Sequence, residues 1–306
     1  MYDLIILGGG PAGLSAGIYA ARYKLDTILI EKEYFSGGQV LNTWAVENYP
    51  GFKEIKGDEL AKRMEEQAEH FGLEIKKETV KEVELRGAEK VFKTSKNEYK
   101  TKTAILATGS KPRMLNIPGE KEFYGKGVSY CGTCDAPFYK DKVVAVIGGG
   151  NTAVDEALYL TKYTKKVYLI HRRDELRADK ILQDKAFENP KIELIWNSVA
   201  KEIDLVEDDK HVFIHNKKTE EDKKLAVDGV FVFIGYKPNN ELFKDQIELN
   251  QYGFIRKQKM NSLETNIPGV FAAGDILEKE LRQIVIAAGD GAKAAFEANE
   301  YIIKHN

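Results

Sequence analysis

The chain opens on a short apolar run, Tyr2-Asp3-Leu4-Ile5-Ile6-Leu7, that ends at the cluster Gly8-Gly9-Gly10-Pro11-Ala12-Gly13. From Leu14 to Tyr23 the apolar positions shift to helical spacing with small residues between them, so the segment reads as strand, tight turn, helix. A second run, Thr27-Ile28-Leu29-Ile30, stops at Glu31 and completes a βαβ unit of ordinary length. The layout then recurs: Val143-Val144-Ala145-Val146-Ile147 leads into Gly148-Gly149-Gly150-Asn151-Thr152-Ala153, a helix follows, and Val167-Tyr168-Leu169-Ile170 closes the unit. Gly148 lies 140 residues after Gly8, and that one offset pairs Gly9, Gly10, Tyr19, Tyr23 and Ile30 with Gly149, Gly150, Tyr159, Tyr163 and Ile170 without a gap. Two dinucleotide-binding domains related by duplication are predicted.

Their boundaries follow from punctuation. Residues Thr103 to Ser110 read as a buried strand ending in a turn, and Lys111-Pro112-Arg113 with Ile117-Pro118-Gly119 as a crossing between domains. A matching exit lies at Gly235-Tyr236-Lys237-Pro238-Asn239-Asn240. The expected architecture is α/β with two Rossmann-like domains, one inserted in the other: 1–114, then 115–243 as the insert, then 244–306 rejoining the first. The last segment carries Gly269-Val270-Phe271-Ala272-Ala273-Gly274-Asp275, a strand feeding a turn and a helix.

In such a glycine turn the first glycine permits the bend, the second lets a pyrophosphate approach the backbone, and the third lets helix pack on strand. The helix N-terminus then offers free N–H groups to the phosphates. The two copies differ at the end of their second strand. Glu31 can accept both hydroxyls of an unsubstituted adenosine ribose, which suits FAD or NAD. The matching position of the second copy is His171, followed by Arg172, Arg173 and Arg177, where guanidinium groups suit a 2′-phosphate and hence NADPH. The plain alternative for His171-Arg172-Arg173 is a solvated charge run.

Composition narrows the class. In 306 residues, 46 basic and 48 acidic side chains leave a net charge of −2, so no global positive field draws the chain to nucleic acid or anionic lipid. No apolar run approaches the length that spans a bilayer, and the N-terminus has no signal-peptide layout, so a cytoplasmic protein with neither membrane nor nucleic-acid partner is expected.

Only two cysteines are present, in Cys131-Gly132-Thr133-Cys134, a spacing that suits a redox pair or half of a metal site. As a redox pair, Cys131 is the better placed for exposure and Cys134 for contact with a flavin. A zinc site would need its remaining ligands from His70, His171, His211, His215 or His305, none at a metal-ligand spacing from the cysteines. Asp135 is a candidate proton shuttle or an exposed turn aspartate.

Over essentially its whole length the chain resembles the low-molecular-weight thioredoxin reductases. The motifs that carry the likeness are Gly8 to Gly13, Gly37-Gly38-Gln39, Val46-Glu47-Asn48-Tyr49-Pro50-Gly51, Ala107-Thr108-Gly109, Cys131 to Asp135, Gly148 to Ala153, His171-Arg172-Arg173, and Gly274-Asp275 with Arg282-Gln283. The resemblance implies FAD on the residues matching Gly8, Gly10, Pro11, Ala12, Gly13, Glu31, Gly38, Gln39, Asn48, Thr108, Gly109, Gly274 and Asp275, with Arg282 and Gln283 near the cofactor. It implies NADPH on those matching Gly148, Gly150, Asn151, Thr152, Ala153, His171, Arg172, Arg173 and Arg177. Cys131 matches the interchange thiol, Cys134 the flavin-proximal thiol and Asp135 the acid of a redox-active disulfide. Thioredoxin or a thioredoxin-like protein is the implied acceptor, a homodimer the implied assembly, and rotation of the inserted domain about its two linkers the implied motion.

Three departures stand out. Gly132 replaces a more common alanine, Ala136-Pro137 replaces a glycine and an aromatic, and Leu41-Asn42-Thr43-Trp44 replaces a threonine-rich stretch. Pro137 removes an N–H and disfavours helical geometry at Ala136, so the helix after the cysteines is expected to be broken or short. The competing functions are a reductase serving a peroxiredoxin, a flavin-dependent dithiol oxidase, and a nucleotide-sensing protein without turnover. The first usually carries an extra N-terminal thiol domain, the second has no need of the three arginines, and the third none of the cysteines.

Overall fold

The computed structural model describes residues 1–43, 46–206 and 209–305. The chain divides into two compact units, 1–111 with 237–306, and 112–236.

In the first unit, parallel strands run in the spatial order Glu74–Lys77, Thr27–Glu31, Tyr2–Leu7, Glu98–Leu106. Beyond Glu98–Leu106 the sheet forks. The end of that strand pairs in parallel with Val270–Ala272, and its beginning pairs antiparallel with Lys90–Thr94, which in turn pairs with Val80–Glu84. Leu4, Ile5, Ile6, Ile28, Leu29 and Ile105 are all buried, as expected of a parallel sheet covered on both faces. Helices Pro11–Arg22 and Ile284–His305 pack on each other so closely that a Cβ on Gly291 would overlap the Ala12 carbonyl.

The second unit repeats this plan. Its parallel sheet has the order Ile192–Ile195, Lys166–Ile170, Val143–Gly148, Gly229–Phe233, Val128–Ser129. A three-stranded antiparallel sheet, Ser198–Val206, Asp209–Asn216 and Asp222–Ala226, packs on it through Ile203, Val212 and Ile214. The two halves therefore share strand order as well as glycine spacing.

Both breaks between the units fall earlier than the expected 114/115 and 243/244. The reason at the second is burial: Phe243, 1% exposed, and Ile247 belong to the core of the first unit, and Gln246 bonds the backbone of Val83 and Leu85 there. Among the described residues, no helix is long and apolar enough to cross a membrane.

Candidate active site

The first glycine turn is shaped by contacts that exclude side chains. Gly8 has φ +108°, and a Cβ there would overlap the Ala107 carbonyl. A Cβ on Gly13 would overlap the Gly8 carbonyl, so the helix can press on its strand only because Gly13 has none. Pro11 begins the helix and Ala12 is buried behind it. Gly10, by contrast, faces open space at the helix N-cap, where N–H groups await an anion.

Other loops converge on this turn. Gly37 N–H donates to the Gly9 carbonyl at 2.7 Å, which brings up Gly38, left-handed at φ +58°, and Gln39, whose Nε2 donates to the Ser110 carbonyl at 2.7 Å. Thr108 and Asn239 bond reciprocally, Oγ1 to carbonyl and Nδ2 to carbonyl at 2.8 Å each, beside Gly109 at φ +66°. Asn48 Nδ2 donates to Gln283 Oε1 at 3.1 Å across 235 residues of sequence. Gly274 is held by its N–H to Asp290, which also pairs with Lys279. Arg282 donates to the Lys279 carbonyl and stacks over Phe254 at 4.5 Å. Trp44 lies outside the described residues.

Asp275 shows that this assembly accommodates a polar group. Its Oδ1 is buried without a hydrogen-bond partner among the described residues, and burial pushes its pKa up against the opposing charges of Lys279 and Arg282. An oxygen acceptor of this kind suits a cofactor hydroxyl. Together with the open helix cap at Gly10, it fits FAD.

The second glycine turn repeats the first. Gly148 packs against Ala153 and the Phe233 carbonyl with no room for a Cβ, and Gly150 faces open space at its helix cap. Asn151 is engaged with Asp179 through both ends of its amide, while Thr152 is exposed on the first turn. His171 lies flat beneath Gly149, 4% exposed; burial first, then the charges of Arg177, Arg173 and Arg172, lowers its pKa and keeps it neutral. The imidazole thus turns inward, whereas Arg172, Arg173 and Arg177 are exposed, and Arg177 N–H returns to the Gly149 carbonyl at 2.7 Å. Three guanidinium groups beside an open helix cap fit a phosphorylated nucleotide.

In the same unit, Cys131 and Cys134 are joined in a disulfide with Cα atoms 5.3 Å apart. Cys131 is the N-cap of the helix Gly132–Asp135, and its sulfur accepts the Cys134 N–H at 3.2 Å. Ser129 Oγ accepts the Cys131 N–H at 3.0 Å and hydrogen-bonds Asp135, whose pKa burial pushes up against that bond. Both cysteines are half-buried, so the expected difference in their depth is not expressed. The helix ends after one turn in a 3-10 segment, Ala136–Tyr139, as Pro137 predicts, although Ala136 itself stays helical at φ −52°, ψ −41°. Loss of the Pro137 N–H, more than the clash at Ala136, ends the regular helix.

Among the described residues no group of three or more His, Cys, Asp or Glu is placed to hold a metal. His215 instead faces Glu220 and Asp222 on the antiparallel sheet.

Sequence motifs assign no site role to Ser129, Asn239 or Glu156, the last of which sits behind the redox turn. For Glu156 a signal existed: two adjacent acids, Asp155-Glu156, in the helix Asn151–Leu160, whose other residues from Ala153 onward are apolar.

Comparison with known proteins agrees with this geometry. The family model for pyridine nucleotide-disulphide oxidoreductases matches residues 2–291. A thioredoxin reductase of Peptoclostridium acidaminophilum is 49% identical over 309 residues, covering 99% of this chain and 97% of that one, and one of Bacillus subtilis (strain 168) is 45% identical over 305, covering 99% and 95%. Among solved structures, the thioredoxin reductase of Streptococcus pyogenes MGAS5005 superposes with a TM-score of 0.92 at 44% identity, and that of Giardia duodenalis with 0.92 at 36%, each covering 99% of both chains. The chain belongs to the pyridine nucleotide-disulphide oxidoreductase family, and the four full-length relatives just named are thioredoxin reductases.

Proposed function

We propose that this chain is an NADPH-dependent thioredoxin-disulfide reductase that carries FAD and passes electrons through Cys131 and Cys134 to thioredoxin or a thioredoxin-like protein. The observation that carries the reading is the disulfide capping a one-turn helix, in a chain with two open glycine turns of different polarity.

Residues 1–111 with 237–306 form the FAD domain, and 112–236 the NADPH domain. Bound FAD supplies what side chains cannot, acceptance of a hydride from NADPH and release of two electrons. Gly8 to Gly13 and Glu31 hold its adenosine end, Asp275 its sugar-alcohol chain, and Gln39, Asn48 and Gln283 line its approach. Arg172, Arg173 and Arg177 hold the 2′-phosphate of NADPH and set its preference over NADH.

Two electrons open the Cys131–Cys134 bond. The Cys131 sulfur, stabilised as thiolate by the Cys134 N–H, attacks a disulfide sulfur of the partner and forms a mixed disulfide. Cys134 then attacks Cys131, re-forming the internal bond and releasing the partner as a dithiol. Asp135, held by Ser129 with its pKa raised, gives and takes the proton of the departing sulfur. The working assembly is a homodimer, and the cytoplasm, where thiols are kept reduced, is where such a reductase operates.

Stopped-flow absorbance tests this. NADPH is expected to bleach the flavin and oxidised thioredoxin to restore it; a flavin left oxidised by NADPH, or a Cys131→Ser enzyme that still reduces thioredoxin at the normal rate, would refute the reading.

A further inference from the structure

Glu156 lies on the second turn of the helix Asn151–Leu160, directly behind the redox turn. Three observations single it out. A Cβ on Gly132 would overlap its Oε2, so the carboxyl occupies space that exists only because position 132 is glycine. The backbone N–H of Thr133 is hydrogen-bonded to it. Its Oε2 is nonetheless buried with no side-chain or other partner among the described residues, beside a cavity of about 240 Å³ lined by Thr133, Asp155, Tyr159, Lys162 and Lys185.

The first N–H groups of Gly132–Asp135 point one way: that of Thr133 to Glu156, and that of Cys134 to the Cys131 sulfur. The Glu156 carboxyl and the Cys131 sulfur therefore accept from backbone N–H groups of neighbouring residues in one turn. When two electrons cleave the Sγ–Sγ bond, two thiolates form and protons from solvent neutralise them in steps. A thiolate on Cys131 and a carboxylate on Glu156 are then like charges held on neighbouring N–H donors, and each raises the cost of the other.

We propose that Glu156 is a positioning residue for the redox pair, held against the Thr133 N–H by the absence of a side chain at Gly132, and that its ionisation opposes thiolate formation on Cys131. Burial, with the adjacent Asp155 charge, pushes its pKa up to about 7, against the Thr133 bond, so the opposition switches on across the neutral range. Other titratable groups facing it are Asp155, Tyr159 and Lys162 on its own helix and Lys185 on Lys180–Glu188. The redox turn that it backs, through Gly132 and Thr133, carries Cys131, Cys134 and Asp135. Neither lysine is hydrogen-bonded to the buried Oε2.

The proposal rests on the redox role given above to the cysteines, and its test is arranged to fail separately from it. Holoenzyme reduced with dithiothreitol needs neither NADPH nor thioredoxin turnover. Its Cys131 is alkylated with iodoacetamide between pH 5 and 9 and followed by mass spectrometry. The native protein should show a two-step rate profile with one inflection near Glu156's titration. Glu156→Gln should show a single step moved to lower pH, with the rate near pH 7.5 raised by about tenfold; Glu156→Asp should keep two steps. Gly132→Ala, which displaces the carboxyl without removing it, should move the profile the same way and serves as the decisive variant if Glu156→Gln does not fold. Unchanged profiles in the folded variants, or a move to higher pH, would overturn the proposal.

Discussion

Gly9 donates its N–H to Glu31 Oε2 at 2.6 Å, and 140 residues later Gly149 lies over His171 in the same relation of glycine turn to strand end. Each strand-end side chain buttresses its turn from beneath. Glu31 does so as a carboxylate that also accepts the Glu33 N–H at 2.9 Å, His171 as a buried neutral ring. The duplication has kept the architecture and exchanged the polarity.

Because Glu31 is bonded to backbone before any ribose arrives, its removal should damage the turn itself. Glu31→Gln is expected to lower stability by about 1–3 kcal/mol and to lose FAD on gel filtration. Thermal melting of the FAD-free protein separates the two effects: a melting temperature equal to that of the native apoprotein would mean the carboxylate serves the cofactor alone.

The three arginines of the second turn are exposed and should act on ligand rather than fold. Replacing Arg172 and Arg173 with alanine should raise the KM for NADPH by about tenfold or more while leaving that for NADH and the melting temperature nearly unchanged. Equal losses with both nucleotides would place the 2′-phosphate elsewhere.

Asp275 carries a buried oxygen without a partner, and burial raises its pKa. A folded-state pKa raised above the unfolded one means that stability falls as pH rises toward it, since the folded form must give up a proton it holds more tightly. Asp275→Asn should therefore stabilise the FAD-free protein at pH 7 while weakening FAD retention. Loss of both properties together in that variant would indicate a purely structural aspartate.

The raised pKa of Glu156 acts with the same sign. Its pKa is raised from 4.5 to about 7, so its contribution should decline between roughly pH 4.5 and 7 and stay lost above. Denaturant unfolding of Glu156→Gln should lack this decline and exceed the native protein by about 3 kcal/mol at pH 8. Parallel stability curves for the two proteins across pH 5 to 8 would count against the shift.

Much of this was open to reading in the sequence. Two glycine turns with their flanking strands, the lone cysteine pair, and the break after Asp135 follow from local chemistry, because tight turns need glycine, buried parallel strands need continuous apolar runs, and Pro137 withholds an N–H. Distances across the fold do not follow from local chemistry. Gln283 meets Asn48, Asn239 clasps Thr108, and Phe243 joins the first unit's core, each by packing that no spacing encodes. The cysteines are where the two kinds of information meet. Residue types and a spacing of three determine that they can pair; only the tertiary structure determines that Glu156 stands behind them, because its place depends on how the helix after Gly150 packs on a turn that lacks one methyl group at Gly132.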